Sequence, residues 1–158
     1  KQIQDDIKSF SHKIETAKKS QATEDFMIIA RIESLILEKG MNDAIARAKA
    51  YINAGADAIL IHSKQKTPKE VFEFSKKYNK FGSNYPLFCV PTSYSEVKES
   101  DLINNGFKAV IYANQLIRAA YPAMQKAAVN ILEHKRAYES ENNLMTINEI
   151  LDLIPGTR

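Results

Sequence analysis

Ile52-Asn53-Ala54-Gly55-Ala56-Asp57-Ala58-Ile59-Leu60-Ile61 and Ile103-Asn104-Asn105-Gly106-Phe107-Lys108-Ala109-Val110-Ile111-Tyr112 are two copies of one pattern. Residue type matches at nearly every position: a helix end, a glycine, a tight turn and an apolar run. Glycine after a helix suits the left-handed cap that a side chain would strain. An apolar run without polar alternation suits a strand buried on both faces, as parallel strands are. A helix–Gly–strand unit that recurs where strands alternate with helices argues for a β/α array. Its crossovers are right-handed, which leaves a barrel or a doubly wound sheet. The five glycines are isolated and no G-x-G-x-x-G follows a strand, so the barrel is the expectation.

The same alternation extends outward from the repeat. Upstream, Ile3, Ile7, Phe10, Ile14 and Ala17 recur at helical spacing and predict a leading helix over residues 1–19. Phe26-Met27-Ile28-Ile29-Ala30-Arg31-Ile32 reads as a strand, and Met41, Ala44, Ile45, Ala48 and Ile52 as a helix. Between the copies, Pro68 opens a helix striped by Val71, Phe72 and Phe74. Pro86 to Pro91 is a third strand and Val97 to Asn105 a short helix. After the fourth strand, a long helix is expected from Asn114 to Tyr138, broken or restarted at Pro122. Residues 139–143 form a polar loop. A terminal helix over 145–154 follows, with capping-box spacing at Thr146 and Glu149. Residues 26–138 thus hold four strand–helix units, and the whole of 1–158 reads as one domain. A complete (β/α)8 barrel takes about 250 residues. The fold expectation is therefore α/β, half of a (β/α)8 TIM-type barrel, in a chain cut from a longer polypeptide.

Composition narrows the function classes. Hydrophobic residues at 44% and charged residues at 26% suit a globular domain. No apolar run approaches the roughly 20 residues of a membrane span, and the polar start is unlike a signal peptide. Cys89 is the single cysteine, so no internal disulfide is possible. A cytoplasmic setting is the expectation. The net charge of +3 comes from scattered residues, and Lys76-Lys77-Tyr78-Asn79-Lys80 closes a helix where cations complement the dipole. No nucleic-acid partner is expected.

Barrel chemistry sits at the C-terminal ends of the strands. Those ends carry Arg31 and Glu33, then His62, Ser63 and Lys64, then Thr92, then Asn114. Met27, Ile29, Arg31 and Glu33 alternate onto one face of their strand. An arginine ending an apolar strand needs an anionic partner, and its planar fork fits a phosphoryl or carboxylate group. A structural ion pair with Glu33 satisfies the same requirement, and spacing does not separate the two. His62 continues the register of Ala58 and Leu60 and is either a structural imidazole or a donor or acid/base group. His12 and His134 fall on helices and read as solvated, Cys89 as an inert buried thiol, and Lys64 with Lys66 as a solvated loop. No Cys pair, H-E-x-x-H or strand-end carboxylate cluster offers a metal site.

Four strings fall in order at strand ends: Ile29-Ala30-Arg31-Ile32-Glu33-Ser34, Ala54 through Lys64, Val90-Pro91-Thr92, and Ile111-Tyr112-Ala113-Asn114 with Arg118-Ala119. Together they resemble the C-terminal half of the phosphoenolpyruvate mutase family, within the isocitrate lyase superfamily. The resemblance implies an α/β barrel whose eighth helix is exchanged between subunits of a homo-dimer or tetramer. It implies interconversion of phosphoenolpyruvate and phosphonopyruvate, the C–P bond-forming step of phosphonate biosynthesis, with Mg2+ bound. By match to the motifs, Arg31 and His62 are the catalytic, substrate-binding residues at the transferring phosphoryl group. Glu33, Ser63, Lys64, Thr92 and Asn114 are supporting positions behind them. The Mg2+ ligands, the catalytic aspartate and the gating loop of the family match nothing here and are expected upstream of Lys1. Gln115 departs from the histidine common at that position. Arg31-Ile32-Glu33 and His62-Ser63 differ from the Ala-Arg-Thr-Asp and strand-six carboxylate of the carbon–carbon lyases. Phosphonopyruvate hydrolase is the alternative enzyme, and a non-catalytic half-barrel assembly module the alternative of another class.

Overall fold

The computed structural model describes residues 2–156. Two compact units divide the chain, one ending at Ala113 and the other starting at Asn114, where the sequence reads as a single domain. In the first unit the order is α1 (Ile7–Lys19), β1 (Ile29–Ile32), α2 (Gly40–Asn53), β2 (Ala58–Ile61), α3 (Lys69–Tyr78), β3 (Leu87–Cys89), α4 (Glu99–Asn104) and β4 (Ala109–Val110). The four strands are parallel and adjacent in sequence order, β1-β2-β3-β4. No strand order reverses among them, so the switch point of a doubly wound sheet is absent from these residues.

The repeat is the same in three dimensions as in sequence. Gly55 and Gly106 have φ of +99° and +88°. Ala56 N–H reaches the Tyr51 carbonyl at 3.0 Å and Gly55 N–H that of Ile52 at 2.9 Å. Phe107 to Leu102 and Gly106 to Ile103 reproduce these bonds at 3.1 and 2.9 Å. This is the Schellman closure of a helix. The next residue then enters the sheet: Asp57 N–H bonds the Ile28 carbonyl and Lys108 N–H that of Leu87, each at 2.9 Å.

That turn explains why β1 starts later than its apolar run. The Asp57 carboxylate also accepts from Ile28 N–H at 2.8 Å and pairs with Lys18 Nζ, so Ile28 belongs to the turn and the ladder begins at Ile29↔Ala58. Pro86 and Pro91 bracket β3, and proline contributes no N–H to a ladder. The leading helix begins at Ile7, because Asp6 is its N-cap and accepts from Ser9 N–H at 2.9 Å.

The helices of this unit share a core with one face of the sheet. Ala30, Ile32, Ile59, Ile61, Leu87 and Cys89 form one core with Ile14 of α1, Ala44, Ala48 and Tyr51 of α2, Val71, Phe74 and Tyr78 of α3, and Leu102 of α4. The alternate residues look away from the helices. On β1 they are Ile29 and Arg31, both exposed. Leu60, itself buried, and Phe88 lie beside Arg31 in register and outside the core shared with the helices.

The second unit holds α5 (Gln115–His134), a 3₁₀ helix (Tyr138–Asn143) and α6 (Ile147–Asp152). Pro122 does not break α5, which runs on to a left-handed cap at Lys135. Its ring removes one hydrogen bond, and the helix formers Ala123, Met124, Gln125, Lys126, Ala127 and Ala128 carry the turn past it. The expected loop at 139–143 is the 3₁₀ helix, with Ser140 Oγ donating to the Ala127 carbonyl of α5 at 3.4 Å. The capping box at α6 is formed: Glu149 N–H reaches Thr146 Oγ1 at 3.2 Å and Thr146 N–H reaches Glu149 Oε2 at 2.8 Å.

Candidate active site

Arg31 and His62 lie at the ends of the neighbouring strands β1 and β2, on the face opposite the helices. Pairing of Ile29 with Ala58 and Arg31 with Leu60 places them there, because every second residue returns to the same face. The guanidinium is half exposed and its Nε donates to Glu33 Oε1. Gln2 Nε2 donates to the other oxygen, Glu33 Oε2, at 3.0 Å. The ion pair foreseen as an alternative for Arg31 is therefore present.

His62 is half-buried, and its Nδ1 is a buried atom with no hydrogen-bond partner. Burial holds its pKa below the ordinary value of 6.5, the Arg31 charge lowers it further, and Glu33 and the Val90 backbone act the other way. Burial and the Arg31 charge thus both favour the neutral imidazole. In the loop after β3, Thr92 carries a buried Oγ1 without a partner and donates its own N–H to the Val90 carbonyl at 2.9 Å.

The remaining candidates are placed differently. Ser63 is fully buried and its hydroxyl, given to Glu70 and accepting from Gln65 N–H, shapes the loop after β2. Lys64 is exposed and paired with Glu38 at 2.6 Å. Asn114 is the N-cap residue of α5 and belongs to the second unit. His12 and His134 are exposed; His12 lies 3.7 Å from Glu15, and His134 bonds the Asn130 carbonyl. Cys89 is fully buried, and burial pushes its thiol up to about 12.

Three features escape a reading by strand ends alone. Arg47, only 7% exposed in the apolar stripe of α2, donates to Asp43 Oδ2 at 2.9 Å and to Tyr51 Oη and the Asp5 carbonyl at 2.8 Å. Asp43 also accepts from Ser34 Oγ at 2.6 Å, and Ser34 accepts from Gln4 at 3.1 Å. This buried network fixes the chain just past Glu33. Its signal was a charged residue between Ala44 and Ala48, spaced four from both Asp43 and Tyr51. Asp57 is the second, visible only as a carboxylate in the repeated turn. Tyr94 is the third: it is 1% exposed, and burial raises its pKa strongly.

The family model described as phosphoenolpyruvate phosphomutase matches residues 1–132. The chain belongs to that family. Phosphonopyruvate hydrolase of Variovorax sp. is 40% identical over 93% of the chain, and phosphoenolpyruvate phosphomutase of Tetrahymena pyriformis 37% over 93%. The chain spans about half the length of these curated relatives, 50% and 48%. A crystal structure of phosphonopyruvate hydrolase complexed with oxalate and Mg2+ superposes with a TM-score of 0.84 at 39% identity, covering 94% of this chain and 52% of that one. Among the described residues no three His, Cys, Asp or Glu side chains converge to hold a metal ion, so the residues present do not fit a Mg2+ site of their own.

Proposed function

We propose that this chain is half of a (β/α)8 barrel and supplies the phosphoryl-binding half of an enzyme acting on the C–P bond of phosphonopyruvate. The observation that carries the reading is the placement of a strand-end guanidinium, Arg31, and an imidazole, His62, on the same face of neighbouring strands, opposite the helices. Phosphoryl transfer is dominated by positioning and by neutralising charge spread over three oxygens. Arg31 offers a fixed cationic fork for those oxygens. His62 as a neutral ring offers one N–H donor and adds no second charge that would hold the group too tightly in the ground state. A divalent ion, as in the hydrolase complex, would draw its ligands from segments of the protein other than this one. The apolar residues Leu116, Ile117 and Tyr121, exposed on α5, support the exchange of a helix between subunits in a homo-oligomer.

Arg31 and His62 suit a mutase and a hydrolase alike. In a mutase the phosphoryl group leaves C3 of phosphonopyruvate and is recaptured by the enolate oxygen; in a hydrolase water takes it, giving pyruvate and phosphate. Overall similarity favours neither, since the hydrolase relative is as similar as the mutase. Incubating the full-length protein with phosphonopyruvate and Mg2+, followed by phosphorus NMR, separates them. Phosphoenolpyruvate as the early product identifies a mutase, and phosphate with pyruvate a hydrolase. No turnover of phosphonopyruvate by either route would overturn the proposal and leave the assembly-module reading.

A further inference from the structure

Glu33 has an unusual position for a residue beside an anion site. Its carboxylate occupies the Nε donor of the Arg31 guanidinium, one of the donors a phosphoryl oxygen could take. It is 18% exposed while Arg31 is 50% exposed, so the cation faces solvent and the carboxylate lies behind it. Its second oxygen is already held by Gln2. A carboxylate with only one partner would be left desolvated and unpaired if that partner turned away, at a cost of several kcal/mol. Glu33 keeps the Gln2 bond and is not stranded. The segment that carries Gln2 is itself pinned, because Gln4 bonds Ser34 and Asp5 accepts from buried Arg47.

We propose that Glu33 is a displaceable counter-ion for Arg31, a positioning residue that aims the guanidinium and yields it to the incoming phosphoryl anion. This rests on the reading of Arg31 as a phosphoryl contact. The pair holds a long, flexible side chain in place. When an anion arrives, Arg31 exchanges one carboxylate for a group carrying more charge, and Glu33 retains Gln2. The exchange has a consequence for affinity. An anion that takes the Nε donor breaks the Arg31–Glu33 contact, so the resident carboxylate weakens that binding by the strength of the contact. For a half-exposed pair this is worth up to about fivefold.

The test uses the full-length protein, inorganic phosphate as the probe, and calorimetry at one pH and fixed ionic strength. Glu33→Gln is expected to bind phosphate about threefold to fivefold more tightly than the parent. Glu33→Asp, which keeps the charge and shortens the reach by one methylene, is expected to gain as well. Arg31→Ala is expected to lose at least about tenfold. A merely structural Glu33 would weaken binding when replaced, so tightening is the informative direction. If Arg31→Ala binds phosphate as the parent does, the phosphoryl-contact reading of the site fails. If Arg31→Ala weakens binding while Glu33→Gln leaves it unchanged or weaker, that reading stands and the counter-ion inference is overturned. Tightening in Glu33→Gln with none in Glu33→Asp would reduce Glu33 to a distant charge and overturn the contact claim. A second measurement needs no variant: phosphate titration should shift the Arg31 Nε–H resonance and leave the Gln2 side-chain amide in place. An Arg31 resonance unmoved at saturating phosphate would overturn the inference.

Discussion

At the scale of single residues, the separation of Arg31 from His62 by charge state is what makes the pair testable. Arg31→Ala in the full-length protein should cost about 3 kcal/mol of transition-state stabilisation, comparable to losing an oxyanion donor. His62→Ala should cost less, because a neutral donor makes a weaker bond than a charged fork. Steady-state kinetics with circular dichroism checks both. An Arg31→Ala protein that unfolds, with full activity in its folded fraction, would return Arg31 to a structural role. His62 also titrates in a defined direction. Its folded pKa lies below 6.5, first through burial and then through Arg31. As the pH falls through 6.5 toward the folded value, the unfolded chain takes up a proton that the native state refuses, so stability declines there. Above that range both states are neutral and the contribution disappears. Proton NMR of the ring should place its midpoint below that of a free histidine, and Arg31→Ala should move it up. A midpoint at or above 6.5 would contradict the burial argument. The strand-end positions of Arg31 and His62 were legible in the sequence because an ionisable residue interrupts an apolar run there. Tyr94 was not, since a tyrosine in a polar loop gives no sign that its ring will be buried.

At the scale of elements, the repeated helix–Gly–strand unit carries most of the local specification. Gly106→Ala should destabilise more than Gly55→Ala. Both positions have positive φ, which costs a side chain about 1–2 kcal/mol. A Cβ at Gly106 would also lie 2.3 Å from Asn79 Nδ2 and 3.2 Å from Ser75 Oγ, whereas at Gly55 it meets the flexible Lys18 chain at 3.0 Å. Urea midpoints of the two variants measure the difference, and equal values would show that Asn79 moves freely. Arg47 supplies the other element-scale prediction. Asp43→Ala leaves a nearly buried guanidinium without its carboxylate, and should cost about 3 kcal/mol or more. A loss below about 1 kcal/mol would mean that Tyr51 and the Asp5 carbonyl suffice for it. Strand existence and order were legible from apolar runs. Strand length was not, because side-chain bonding by Asp57 and the prolines flanking β3 decide where the ladder stops. Pro122 misled in the opposite direction: a proline's cost is local, and a helix long enough on both sides absorbs it.

For the whole molecule, a parallel sheet that shares a core with helices on one face is an incomplete solution to burial. Ile29, Ile111 and Tyr112 remain exposed on or beside that sheet, and Leu116, Ile117, Tyr121 and Leu132 along α5. Surfaces of this kind favour association. Light scattering of the isolated chain should therefore give a mass above the 17.8 kDa of one copy, and a clean monomer would contradict it. The repeated turn adds a constraint of a different sort, one of parity. His62 shares the face of Arg31 only because it stands five positions, an odd step, after Asp57, whose N–H is anchored to the Ile28 carbonyl. One residue inserted between Asp57 and Ala58 would turn Ile59 and Ile61 out of the core and His62 in toward the helices. Two inserted residues would restore the facing and only lengthen the strand. The turn after α2 can thus vary in composition while its spacing to the strand end cannot, so the imidazole is placed by counting as much as by packing.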